Sequence, residues 1–175
     1  MKHVIVRGSA LIESGLAALL ICLMLAVVLQ VVASAFDVNP LITFDSATLL
    51  VGDAITLNSL LDLQWHLLVV LGLLPAGIVW WRDAHVRVDF LHQRYSPRGK
   101  AWLDLTGAVI FALPFFALIL PASVSFMQRA WRADEGSRNG GLNDLWLVKA
   151  VLPFGLMVLA IYVLLEALRL LRSLR

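Results

Sequence analysis

The chain has 175 residues, of which 61% are hydrophobic and 15% charged, against about 45–50% and 25% in an average soluble domain. A small soluble domain has no interior large enough for that excess, and intrinsic disorder is excluded by the same apolarity. What remains is an all-α integral membrane protein, a single membrane domain over residues 1–175. A net charge of +2 and a pI near 9.0 do not indicate a nucleic-acid binder, because the basic residues are strung between apolar runs and form no single patch. One cysteine, Cys22, rules out an intramolecular disulfide, CxxC redox chemistry and a cysteine-based metal cluster.

Four stretches have the roughly 20 apolar residues that a bilayer requires, and the spans are placed at about 12–36, 63–82, 101–128 and 146–171. Ser14–Phe36 contains 23 residues without a charge, Leu63–Trp81 contains 19 and Leu105–Gln128 contains 24. The fourth holds Lys149 near its start, where a long stem can snorkel to the interface. Helices are expected throughout, since lipid leaves backbone polar groups no other partner. All six tryptophans (Trp65, Trp80, Trp81, Trp102, Trp131 and Trp146) fall near a span boundary, as an aromatic belt requires.

The first span begins after Lys2 and Arg7 and ends in Ala33-Ser34-Ala35, which imitates a signal-peptide cleavage site. Its apolar region exceeds the usual ~7–15 residues of such a leader, so an uncleaved helix is expected. Residues 37–62 hold Asp37, Asp45, Asp53 and Asp62 and no Lys or Arg. Their Leu49, Leu50, Ile55, Leu57, Leu60 and Leu61 suggest a short interfacial helix between spans one and two. Residues 82–100 hold five basic residues, and the tail holds Arg169, Arg172 and Arg175. The distribution places both termini and the 82–104 loop in the cytoplasm. Within that loop, Ser96 before Pro97 reads as an N-cap followed by proline at the first helical position. Pro75, Pro114, Pro121 and Pro153 are candidates for kinks in the spans.

The spans offer little chemistry. Glu13, Asp104 and Glu166 lie within about a turn of a predicted membrane surface, while Gln30 and His66 are placed to bond across helices. If the 82–92 stretch were helical, His85, Asp89 and His92 would share a face, but no fourth ligand accompanies them and no metal is expected. Only His66 among the four histidines lies inside a span, so a pair of haem ligands is lacking. No serine stands with an evident base. The chain is expected to be noncatalytic and to bind no cofactor. A self-contained channel would need a polar stripe along a span, and none is present.

Two segments carry more information. One is His85-Val86-Arg87-Val88-Asp89, followed by Tyr95-Ser96-Pro97-Arg98 and the third span. The other is Glu135-Gly136-Ser137-Arg138-Asn139-Gly140-Gly141-Leu142, followed by Lys149-Ala150-Val151-Leu152-Pro153-Phe154-Gly155. Over roughly Asp62–Leu171 they resemble the small membrane subunit (DctQ-like) of tripartite ATP-independent periplasmic (TRAP) transporters, with the glycine and KAVLP stretches nearest the mannitol or chloroaromatic subgroup. This chain has Asp62 where the family often has Glu, and Asn139-Gly140-Gly141 where it often has Asn-Pro-Gly-Gly. The resemblance implies a non-enzymatic scaffold subunit in the bacterial or archaeal inner membrane. Its partners would be a large elevator-type membrane subunit, which carries sodium ions and a small organic acid, a periplasmic substrate-binding protein, and membrane lipid. It also implies that His85, Arg87 and Asp89 fix the cytoplasmic loop to its own helices or to the large subunit. Glu135, Ser137, Gly140, Gly141 and Leu142 would form a periplasmic turn into span four, the glycines allowing positive φ. Gly72, Ala76 and Gly77 could admit close packing, within the subunit or against the partner. The competing reading is a membrane-anchor subunit of a respiratory redox complex, against which the scarcity of intramembrane histidine counts.

Overall fold

The computed structural model describes residues 2–86 and 92–174, with side chains from Leu11 onward. Arg87 and Asp89 lie outside the described residues. Four helical segments are long and apolar enough to cross a membrane: Leu11–Ala35, Leu57–Trp81, Pro97–Arg132 and Trp146–Ser173. Their elements in order are α1 (Lys2–Ala35), β1 (Ile42–Thr48), β2 (Gly52–Ile55), α2 (Leu57–Leu73), α3 (Ala76–Trp81), α4 (Pro97–Gly107), α5 (Leu113–Arg132) and α6 (Trp146–Ser173). The apolar side chains that a soluble protein would bury are largely exposed, including Leu118 at 75% and Phe111 at 74%. That is the arrangement expected where lipid or a partner helix replaces water.

The chain divides into two compact units, Met1–Gly72 with Gln128–Lys149 and Leu73–Met127 with Ala150–Arg175. In the first, the segment expected to form an interfacial helix is instead an antiparallel hairpin, in which Ile42 pairs with Ile55 and Thr43 with Ala54. The reason is local. Ile42, Thr43, Thr48, Val51, Ile55 and Thr56 are β-branched and favour extended backbone. The turn between the strands also needs left-handed residues, supplied by Leu50 at φ 70° and Gly52 at φ 69°. Six leucines and isoleucines suggested one apolar helical side, but no helix can pass through two left-handed residues. α2 then starts with a reciprocal cap, in which Thr56 Oγ1 accepts from Ser59 N at 3.1 Å and Ser59 Oγ accepts from Thr56 N at 3.2 Å. This is a capping box with serine in the third position. Asn39 Oδ1 accepts from Leu57 N at 3.2 Å and covers another free amide of the first turn.

Gln64 of α2 bonds to α1. Gln64 Nε2 donates to Gln30 Oε1 at 2.6 Å and lies 3.4 Å from the Ala26 carbonyl, so the expected cross-helix bond of Gln30 is present. His66 corrects its expectation. Its Nδ1 lies 2.5 Å from the Asp62 carbonyl of its own helix. A carbonyl can only accept, so Nδ1 carries the proton. The bond stays within the helix because residues four apart stack on one face. Nε2 is buried without a partner among the described residues.

In the second unit, Pro75 separates α2 from α3, as a proline without an N–H does. Gly155 of α6 fits against this break. A Cβ there would lie 3.0 Å from Leu73 Cβ and 3.1 Å from the Leu73 carbonyl oxygen. Gly77 packs against Tyr162 and Val158 within the unit, whereas nothing lies within 4 Å of a Cβ at Gly72. α4 opens as the sequence indicates, with Ser96 Oγ accepting from Gly99 N at 3.2 Å and Pro97 in the first turn. A π-helical turn, Ala108–Ala112, joins α4 to α5 immediately before Pro114, whose missing donor loosens the regular ladder there. Pro121 and Pro153 lie inside α5 and α6.

Candidate functional site

Within the first unit, polar contacts concentrate where the hairpin and the start of α2 meet the connection from α5 to α6. Five bonds there join residues 50–62 to residues 139–144. Asn143 N donates to the Leu50 carbonyl at 2.7 Å, and Leu50 N donates to Asp144 Oδ2 at 3.3 Å. Thr56 Oγ1 donates to the Gly140 carbonyl at 2.9 Å, and Asn58 Nδ2 to the Asn139 carbonyl at 2.5 Å. Leu142 N donates to Asp62 Oδ2 at 3.0 Å. The bonds to Asp62 and Asp144 are partly buried and satisfy backbone amides there, whereas those from Thr56 and Asn58 are exposed.

The turn residues singled out in the sequence are gathered here. Gly140 has φ +69° with open space around it, and its role is conformational. Gly141 acts through size: a Cβ would collide with the Asp62 carboxylate and lie 2.9 Å from Ser137 Oγ. Leu142 is buried and its carbonyl accepts from Ser137 N at 2.8 Å. It lines a half-open apolar recess together with Leu50, Val51, Ile55, Leu60 and Leu63. Glu135 Oε2 faces Lys149 Nζ at 2.5 Å, the lysine side chain being 16% exposed. Lys149 is thus tied to a carboxylate, where the sequence suggested a stem reaching to the interface. Near this pair, Trp131 and Trp146 meet edge to face with centroids 4.4 Å apart.

In the sequence Asp62 stands out as one of the four acids of residues 37–62 and as a departure from a family pattern, while Asn58, Thr56 and Asn143 are not singled out. Their signal is weak because each is a common polar residue that acquires its role from a segment about 80 positions away.

In the second unit, His85 Nε2 lies 3.3 Å from the Ala76 carbonyl, and its ring stands 5.9 Å from Trp80. It therefore folds back on α3. His92 pairs with Asp104, Nε2 to Oδ1 at 3.1 Å, so its ring is committed to a neighbouring carboxylate. Arg169 stands over the Trp81 ring, 3.7 Å from its centroid, a cation–π contact, and lies 3.7 Å from Glu166.

The profile of one protein family, "Tripartite ATP-independent periplasmic transporters, DctQ component", matches residues 50–173. The chain belongs to the DctQ family. The match takes in β2 and α2 to α6, hence both the clasped connection and the Ser96-capped helix, while α1 and β1 lie before it. A comparison with curated proteins finds no match. DctQ proteins are components of a transporter and not enzymes. As a DctQ component with four apolar helices, the chain is a multi-pass protein of the inner membrane. Within the family, this component works with a large membrane subunit and a periplasmic binding protein.

Proposed function

We propose that this DctQ protein is the small scaffold subunit of a sodium-coupled TRAP transporter. It supports the large elevator-type subunit while that subunit imports a small organic acid delivered by the binding protein. The family match over residues 50–173 carries this reading, and the physical character of the chain supports it. A static support needs exposed apolar helix faces and polar groups spent on its own fold. Gln30, Gln64, Asp62 and Glu135 are all used in that way. The clasped connection and the hairpin would face the periplasm, and the 82–104 loop the cytoplasm. His85, Arg87 and Asp89 would then fix that loop to its own helices or to the large subunit, and the Glu135–Leu142 turn would hold span four. Sodium ions would bind in the large subunit, with no cofactor on this chain. Resemblance of the glycine turn and the Lys149–Gly155 stretch points to the mannitol or chloroaromatic subgroup.

The test is uptake by proteoliposomes that hold the large subunit, with binding protein and labelled substrate outside. Uptake should need both this chain and an inward sodium gradient. Undiminished uptake in its absence would refute the scaffold role, and uptake insensitive to the gradient would refute sodium coupling.

A further inference from the structure

The approach to α4 and its first turn carry three cations that nothing in the described structure neutralises. Arg94, Arg98 and Lys100 fall within seven residues, and among the described residues none of them has an ion-pair partner. The described acids of the same unit are engaged elsewhere: Asp104 with His92, Glu166 with Arg169, and Asp83 with an interaction of its own. Arg98 and Lys100 also stand in the first turn of α4, with no acid beside them. Aligned peptide dipoles already place about half a positive charge at that end. The chain thus concentrates positive potential where, among the described residues, no carboxylate pairs with it.

From the start of α4 into the π-helical turn, three exposed side chains then change character in a fixed order. Arg98 is exposed, Trp102 one turn later is 60% exposed and Val109 about two turns further is 55% exposed, while Ala101 and Leu105 beside them are buried. With a rise of about 1.5 Å per residue, guanidinium, indole and aliphatic groups succeed one another over about 17 Å. A phospholipid presents phosphate, ester boundary and acyl chain in the same order, with indoles favoured at the boundary. We infer that Arg94, Arg98 and Lys100 bind the phosphate headgroup of an anionic phospholipid, with Trp102 at its ester region and Val109 along its acyl chain. An acidic protein segment would match the cations but not the graded column below them. The inference rests on α4 and its approach, and is independent of the scaffold reading.

The full-length chain in phosphatidylcholine bilayers, given trace spin-labelled phosphatidylglycerol or phosphatidylcholine, tests it by the relative association of the two lipids. The wild type should prefer phosphatidylglycerol by about threefold or more, given the worth of a cation near an anionic surface. The combined Arg94→Gln, Arg98→Gln and Lys100→Gln variant should bring that ratio close to one. Arg98→Lys should keep most of the preference, as should Arg132→Gln with Arg138→Gln on a different segment. Equal association in the wild type, or a preference that survives the triple variant, overturns the inference. Complete displacement by millimolar inorganic phosphate would assign the site to a free anion, and loss of the preference on assembly with the large subunit would assign it to protein. Either result also overturns the lipid assignment.

Discussion

Asp62 and Gly141 show how single residues hold the candidate site. The carboxylate accepts the amide of the buried Leu142, and it can approach only because residue 141 has no side chain. Gly141→Ala should therefore cost about 1–3 kcal/mol, as overpacking does. Gly140→Ala, with open space but φ +69°, should cost about 1–2 kcal/mol from the left-handed backbone alone. Thermal unfolding of the purified variants in detergent measures both, and Asp62→Ala combined with Gly141→Ala separates them. Removing the carboxylate should relieve the first substitution and leave Gly140→Ala unaffected. Asp62→Ala alone should lose about 1–3 kcal/mol by stranding the Leu142 amide, whereas Asp62→Asn, which keeps an acceptor oxygen, should lose less. Equal melting temperatures for the two variants would remove Asp62 from its structural role. The glycine pair was legible in the sequence as a turn. The distinction between one glycine needed for φ and one needed for size was not, because it depends on a carboxylate 79 positions earlier.

Among the elements, the long apolar helices were legible because lipid permits few alternatives to an internally bonded backbone. The start of α4 was equally plain, since Ser96 and Pro97 act on their immediate neighbours. The hairpin was misread: counting apolar residues between two spans cannot distinguish an amphipathic helix from paired strands when the left-handed turn residues include a leucine. Gln30 was noted as a cross-helix donor or acceptor, but its partner Gln64 was not singled out, because pairing between helices depends on their relative rotation. That contact gives a prediction. Gln64→Leu should destabilise the α1–α2 pairing by about 0.6 kcal/mol, the average for such bonds between membrane helices. Adding Gln30→Leu should cost less than the sum of the two single changes. A double-mutant cycle by unfolding in mixed micelles reads the coupling, and strict additivity would show that the contact contributes nothing.

For the whole molecule, composition excluded a soluble domain and the family resemblance, confirmed over residues 50–173, supplied the association with a transporter. The physics of the chain alone reaches as far as a membrane protein with no evident chemistry of its own. Its exposed apolar faces suit a partner helix as well as lipid, so no count of hydrophobic residues names what covers them. The central claim is that this DctQ protein exists as a support for a larger membrane subunit. The most direct measurement is a pull-down of the tagged chain from gently solubilised native membranes, followed by mass spectrometry. Recovery of one large polytopic transporter subunit in near-stoichiometric amount is the predicted result. Recovery of the chain alone, or with a cytochrome, would contradict the account.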